Sequence, residues 1–284
     1  MKVLVAETCG FCRGVKNAIT LAQETLATHE KVYCLGHIIH NDDVVRKLTQ
    51  AGLKCVENID DIEDGTVLIR SHGATRAEID HIKSKGAEII DATCGLVKRV
   101  QQIAQNLNAQ GYKVLLVGDK DHPEVRAIMG WADDICVVAG AEDLRKISLD
   151  KKLGVICQTT QSAGYFAEMI KEIASRDFSE LKIINTLCKE TKKRQNSAVE
   201  LCKKVDIMFV LGGLQSANTR KLAELCKMHN ECTYHLQNLS ELDTELLKGR
   251  KIAGVTAGAS TPDWVIDEFV EGLTKFQDQH CFEQ

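Results

Sequence analysis

Short runs of β-branched and aliphatic residues alternate along this chain with longer stretches whose apolar positions recur every three or four residues. That alternation predicts an α/β protein with mainly parallel sheets, because parallel strands need a helical crossover between them. No Ser/Pro-rich linker or low-complexity segment interrupts the pattern.

Three strand types recur. The first ends in a glycine, passes a small polar cluster and enters a helix with an arginine. Val32–Gly36 leads to His40-Asn41-Asp42 and Arg46, Lys113–Gly118 to His122-Pro123-Glu124 and Arg126, and Asp206–Gly212 to Ser216-Ala217-Asn218 and Arg220. The second ends on a small polar group: Thr66 to His72-Gly73, Leu153 to Thr159-Thr160, and Ile252 to Ser260. The third delivers a cysteine to a helix start, from Ala87 to Cys94 and from Leu181 to Cys188. Its last copy is missing after Ser260 and stands instead at the beginning, from Lys2 to Cys12. The repeat is thus circularly permuted. It predicts three pseudo-symmetric αβα units, 13–94, 95–188 and 189–284 completed by 1–12, around a pseudo-threefold axis. Functional groups collect at the carboxyl ends of parallel strands, so the three units would aim their loops at one centre.

Composition narrows the chemistry. With 36 Lys+Arg against 40 Asp+Glu, the net charge is −4, which excludes the basic footprint of a nucleic-acid binder. No apolar run approaches the roughly 20 residues that span a bilayer, and the opening strand runs straight into Glu7 and a Gly/Cys turn, unlike a signal peptide. A cytoplasmic location is expected, where disulfides are rare, so the twelve cysteines need another role.

Cys12, Cys94 and Cys188 occupy equivalent strand-to-helix positions, where a helix N-terminus favours the thiolate. Three such ligands fit either a zinc with one open position or an iron–sulfur cluster with one iron left free. Cys34, Cys136, Cys157 and Cys202 sit in apolar contexts and read as core, while Cys9 forms a C-x-x-C with Cys12 that could serve redox or metal chemistry. His40, His72, His122, Ser216 and Ser260, with Asn41, Asn218 and Thr159 beside them, stand at strand ends; imidazoles, hydroxyls, amides and helix starts make a diphosphate cradle. Glu124 follows a helix-start His-Pro. Burial there would let it donate protons near neutrality, and capping its own helix is compatible with that role.

Gly10-Phe-Cys12-Arg-Gly14-Val15, His40-Asn41, Ser71-His72-Gly73, Asp91-Ala-Thr-Cys94, His122-Pro-Glu-Val125, Gln158-Thr-Thr160, Cys188 with Thr191 and Arg194-Gln195, Ser216 with Asn218, and Thr256 to Ser260 carry a resemblance over essentially the whole length. With them the chain resembles the LytB family, the 4-hydroxy-3-methylbut-2-enyl diphosphate reductases of the non-mevalonate isoprenoid pathway. The resemblance implies a trefoil of three αβα units around a central [4Fe-4S] cluster with three Cys ligands and one open iron. The substrate's allylic hydroxyl would meet that iron. Two electrons and two protons would then cleave the C–O bond to give isopentenyl and dimethylallyl diphosphate. Carried over by position, Cys12, Cys94 and Cys188 hold the cluster; His40, His72, His122, Ser216, Asn218 and Ser260 bind diphosphate; Thr159 lies near the substrate hydroxyl; and Glu124 gives the proton. An electron donor of ferredoxin or flavodoxin type is implied as partner.

The chain departs from the family pattern at four places. Ala217 replaces a serine of Ser-Ser-Asn, Gly213-Leu214 replaces Ser-Lys, Gly95 replaces a proline, and Glu190 stands where a small residue is usual. These departures fall mainly on the diphosphate side and leave the ligands and Glu124 intact. They keep two alternatives open: a paralogue reducing another small molecule at the same open iron, and a non-enzymatic iron–sulfur or zinc protein.

Overall fold

The computed structural model describes residues 1–147, 152–214 and 216–280, with the side chains of Ala217 and 277–280 left aside. In chain order the strands and helices are β1 (Lys2–Val5), α1 (Arg13–Thr28), β2 (Val32–Leu35), α2 (Asp42–Gln50), β3 (Leu53–Val56), β4 (Thr66–Ile69), α3 (Arg76–Ser84), β5 (Glu88–Asp91) and α4 (Gly95–Ala109). There follow β6 (Lys113–Val117), α5 (Pro123–Met129), β7 (Ile135–Val138), α6 (Ala141–Arg145), β8 (Lys152–Cys157), α7 (Ala163–Ala174) and β9 (Glu180–Ile183). The last are α8 (Lys189–Cys202), β10 (Ile207–Leu211), α9 (Ala217–His229), β11 (Thr233–Leu236), β12 (Ile252–Ala257) and α10 (Asp263–His280).

The strands form three four-stranded sheets, ordered β3-β2-β4-β5, β7-β6-β8-β9 and β11-β10-β12-β1. Every pairing is parallel. The three orders are one order. In the third sheet β1 takes the edge that β5 and β9 take in the others, with Lys2 beside Ile252 and Val5 beside Val255. The outer strands β3, β7 and β11 complete the sheets and were not among the repeated strands of the sequence. Each is only four residues long, and Lys54 and His235 break the apolar run in two of them.

Two compact units emerge: residues 1–16, 40–46 and 189–284, and residues 17–39 and 47–188. In the second unit, alternate residues of β6 serve opposite faces of its sheet. Val114 and Leu116 pack with Val100, Ala104 and Leu107 of α4, while Leu115 and Val117 pack with Phe166, Met169 and Ile173 of α7. The first unit repeats the device: Phe209 and Val255 meet Phe269 and Leu273 of α10, while Met208 and Val210 meet Leu201, Leu222 and Cys226. Burial on both faces explains why central strands such as Ile-Met-Phe-Val-Leu carry no polar alternation.

Candidate active site

Each sheet prepares the same three loops at the carboxyl ends of its strands. After β2, β6 and β10 a glycine N–H donates to the neighbouring edge strand: Gly36 to Val56 at 2.7 Å, Gly118 to Val138 at 3.1 Å, Gly212 to Leu236 at 3.0 Å. The next helix then opens on a polar cap. Asn41 Oδ1 accepts the Val44 N–H at 3.0 Å, His122 Nδ1 accepts that of Glu124 at 3.2 Å, and Ser216 Oγ accepts that of Thr219 at 3.3 Å. The sequence register sets His40 against His122. The caps instead make Asn41 the counterpart, because one extra residue separates Gly36 from its cap.

Each cysteine is anchored by its own amide to the loop after the third-position strand of its sheet. Cys94 N–H donates to Ser71 O at 3.0 Å, Cys188 N–H to Thr159 O at 2.8 Å, and Cys12 N–H to Ala259 O at 3.1 Å. Each stands immediately before a helix, α4, α8 or α1, at the positive end of its dipole. All three thiols are reduced and half-buried, and the Cys12 sulfur accepts the Val15 N–H at 3.5 Å. Soft ligands on rigid, repeated backbone anchors form a donor set that fits a thiolate-held metal centre.

In the second unit the site residues make one continuous chain. Thr159, whose carbonyl holds Cys188, gives its N–H to Glu124 Oε1 at 2.7 Å and its hydroxyl to Oε2 at 2.8 Å. The Glu124 N–H reaches His122, whose ring lies edge-on to His72 with centroids 5.6 Å apart. His72 follows Ser71, whose carbonyl holds Cys94. His122 Nδ1 thus serves as an acceptor, which in a neutral ring leaves the proton on Nε2. Glu124 is only 3 % exposed, so its carboxyl lives among fixed donors rather than water.

The first unit gathers Cys12, Ser260, Ser216, Asn218 and His40. Ala259 ties Cys12 to the loop carrying Ser260, and Thr219, at Gly258 in the same loop, donates its hydroxyl to Ser216 Oγ at 3.0 Å. Asn218 Oδ1 is buried with no partner among the described residues. The backbone carbonyl of His40 lies near Gly213.

The departures sort themselves by position. Glu190 is exposed in the first turn of α8 and paired with Lys193 at 3.2 Å, so it complements the helix dipole. Leu214 is 43 % exposed. The side chain of Ala217 lies outside the described atoms. Cys9 packs in the apolar cluster under β1, where burial pushes its thiol up to about 11; the C-x-x-C is not a paired thiolate site. Cys34, Cys157 and Cys202 are core, as their contexts predict, and Cys136 packs half-buried against it.

Two supporting residues were given no role of their own by the sequence reading, although Gln158 stands in one of its motifs. Gln158, fully buried at the end of β8, accepts the Asp119 N–H at 3.1 Å and donates to Thr160 Oγ1 at 3.1 Å, joining two site loops. A glutamine ending an otherwise apolar strand was the available signal. Thr219 carries none, since it reads as an ordinary first-turn helix residue.

Parallel sheets covered by helices, with cysteine thiols and a buried carboxylate at the strands' carboxyl ends, define an α/β protein equipped for metal-assisted chemistry. A family model described as "LytB protein" matches residues 3–274, and the chain belongs to that family. It is 43 % identical over 269 residues to a 4-hydroxy-3-methylbut-2-enyl diphosphate reductase of Pelobacter propionicus, covering 94 % of this chain and 96 % of the relative. Identity to the enzyme of the same name in Trichlorobacter lovleyi is 42 % over 281 residues, covering 99 % and 100 %. A solved (E)-4-hydroxy-3-methyl-but-2-enyl diphosphate reductase, described as the terminal enzyme of the non-mevalonate pathway, matches with TM-score 0.73 and 39 % identity over 97 % of this chain and 100 % of that one. The Plasmodium falciparum E-1-hydroxy-2-methyl-but-2-enyl-4-diphosphate reductase matches with TM-score 0.91 and 29 % identity over 96 % and 88 %. Among the described residues no helix is long and apolar enough to cross a membrane.

Proposed function

We propose that this chain is the reductase of 4-hydroxy-3-methylbut-2-enyl diphosphate, the last step of non-mevalonate isoprenoid synthesis. It takes up two electrons and two protons, breaks the allylic C–O bond, and releases water with isopentenyl or dimethylallyl diphosphate. Membership of the LytB family supports the reaction. The observation that carries the proton chemistry is the Glu124–Thr159 pair, two hydrogen bonds of 2.7 and 2.8 Å on a buried carboxylate.

Cys12, Cys94 and Cys188 would hold a [4Fe-4S] cluster, with one iron free of protein ligands. When bound, the cluster supplies single electrons and a Lewis-acidic position for the substrate oxygen. The protein's own groups do the rest. His40, His72, His122, Ser216, Asn218 and Ser260 receive the diphosphate with N–H and O–H donors. The Thr159 hydroxyl donates to Glu124 Oε2 while the carboxylate is ionised. Once Oε2 is protonated that bond reverses, Oε2–H giving its proton to the Thr159 oxygen as the Thr159 hydroxyl proton passes to the leaving oxygen. The common strand order of the sheets supports the division into units 13–94, 95–188 and 189–284 with 1–12. The electron donor is of ferredoxin or flavodoxin type, and the enzyme works in the cytoplasm.

Anaerobic purification with iron and sulfide quantitation, followed by turnover with a chemical reductant, tests this reading. Four irons per chain and both five-carbon products are expected. Zinc without iron, or a cluster-replete protein that leaves the substrate untouched, would overturn it.

A further inference from the structure

A diphosphate offers only acceptors, so every hydroxyl that meets it must present its proton, and something behind that hydroxyl must fill its lone pairs. Thr219 supplies both donors needed at Ser216. Its N–H reaches Ser216 Oγ at 3.3 Å and its Oγ1–H reaches the same oxygen at 3.0 Å. With both lone pairs engaged, the Ser216 hydroxyl is left with its proton to donate.

Thr219 is held in this orientation by close packing. It is fully buried. A Cβ added at Gly258 would sit 2.2 Å from Thr219 Oγ1, and one at Gly212, whose φ is +137°, would sit 3.2 Å from it. The two glycines leave room for one threonine hydroxyl and fix where it points. Beside it, Asn218 keeps a buried amide oxygen without a partner among the described residues, and a half-turn of the amide would place Nδ2 there for an anion. Ser216 is the one hydroxyl among residues 216–218.

We propose that Thr219 is a positioning residue for diphosphate recognition, acting through Ser216 by ordering and polarising its hydroxyl. The inference rests on the diphosphate reading of Ser216 and extends it to a residue that never meets the ligand. Hydrogen bonds in series strengthen one another, so a Ser216 backed by two donors is a better donor to an anion than an isolated serine.

The test is calorimetric binding of inorganic diphosphate to the anaerobically purified holoprotein, with steady-state KM and kcat measured alongside. Ser216→Ala should weaken binding about 10- to 100-fold, the size expected for a lost hydrogen bond to a charged group. Thr219→Val keeps shape and loses the hydroxyl; it should weaken binding about five- to tenfold and raise KM with kcat little changed. Thr219→Ser keeps the hydroxyl and should stay within about twofold of the parent. In the Ser216→Ala background, Thr219→Val should have no further effect, because its route to the ligand is gone. A packing role predicts the reverse ranking, with valine harmless and serine damaging, and that result overturns the inference. Additive effects in the double variant overturn it too. If Ser216→Ala itself binds diphosphate normally, the underlying site reading fails instead. Should Thr219→Val not fold, Thr219→Ala, read against the melting temperature of Thr219→Ser, makes the same comparison.

Discussion

A carboxylate removed from water needs its charge met by donors, and Glu124 meets two from a single residue 35 positions away, the N–H and the hydroxyl of Thr159. The hydroxyl is the part that can change partners during a proton transfer; the N–H only fixes the carboxylate in place. Glu124→Gln keeps the shape and removes the transferable proton. It should lower kcat about 100-fold or more while leaving inorganic diphosphate affinity within about twofold and iron content unchanged. Loss of diphosphate binding or of iron in that variant would make Glu124 a structural residue. The sequence identifies Glu124 and Thr159 separately, each through a loop that recurs. It does not reveal that they touch, because a repeat gives equivalence of position and not contact between the loops of one copy. Cys9 shows the opposite failure: a motif legible as C-x-x-C is dissolved by burial, which no spacing can report.

Among the elements, the central strands were plain in the sequence because both of their faces are buried, giving uninterrupted apolar runs. The outer strands β3, β7 and β11 were not, since they are short and two of them are interrupted by Lys54 or His235, and the cap register slipped by one where a loop lengthened. Element ends also carry a pH-sensitive tie. Asp206, just before β10, accepts the N–H groups of Lys251 and Ile252 at 2.7 and 2.9 Å, joining the starts of β10 and β12. Those two backbone donors hold its carboxyl below the usual carboxylate range. A depressed folded pKa means the tie is fully present above the unfolded value, about 4, and is lost as pH falls through the folded one. Asp206→Ala should therefore melt below the parent at pH 7, with the gap closing in acid. A gap that persists unchanged in thermal melts at pH 2 would assign the loss to packing rather than to the ionised carboxylate.

For the molecule as a whole, the threefold repetition of one sheet is the feature the sequence states most clearly. Three glycine turns, three cysteine anchors and one strand order say it again in coordinates. The copies differ chiefly in how the chain reaches them. Sheets β3-β2-β4-β5 and β7-β6-β8-β9 each draw on one uninterrupted stretch of chain, whereas Lys2 must find Ile252. Long-range pairing is slow because loop closure precedes any gain from contact. Pulse-labelled hydrogen exchange during refolding should find the amides of β2 and β4 protected before those of Lys2 and Ala6, which bond β12. Simultaneous protection would mean that the sheets form as one cooperative event.

On the ribosome the same topology becomes a matter of timing. β1 leaves the ribosome well before β12, the strand it pairs with, so at about 5–20 residues per second it waits on the order of tens of seconds with its apolar residues unsheltered. The anchors of Cys94 and Cys188 can form before β12 is made, while that of Cys12 waits for Ala259. On the proposed reading, a metal centre held by all three thiols is thereby postponed until that last anchor is made, and shorter nascent fragments are kept from acquiring a cofactor they could not shield.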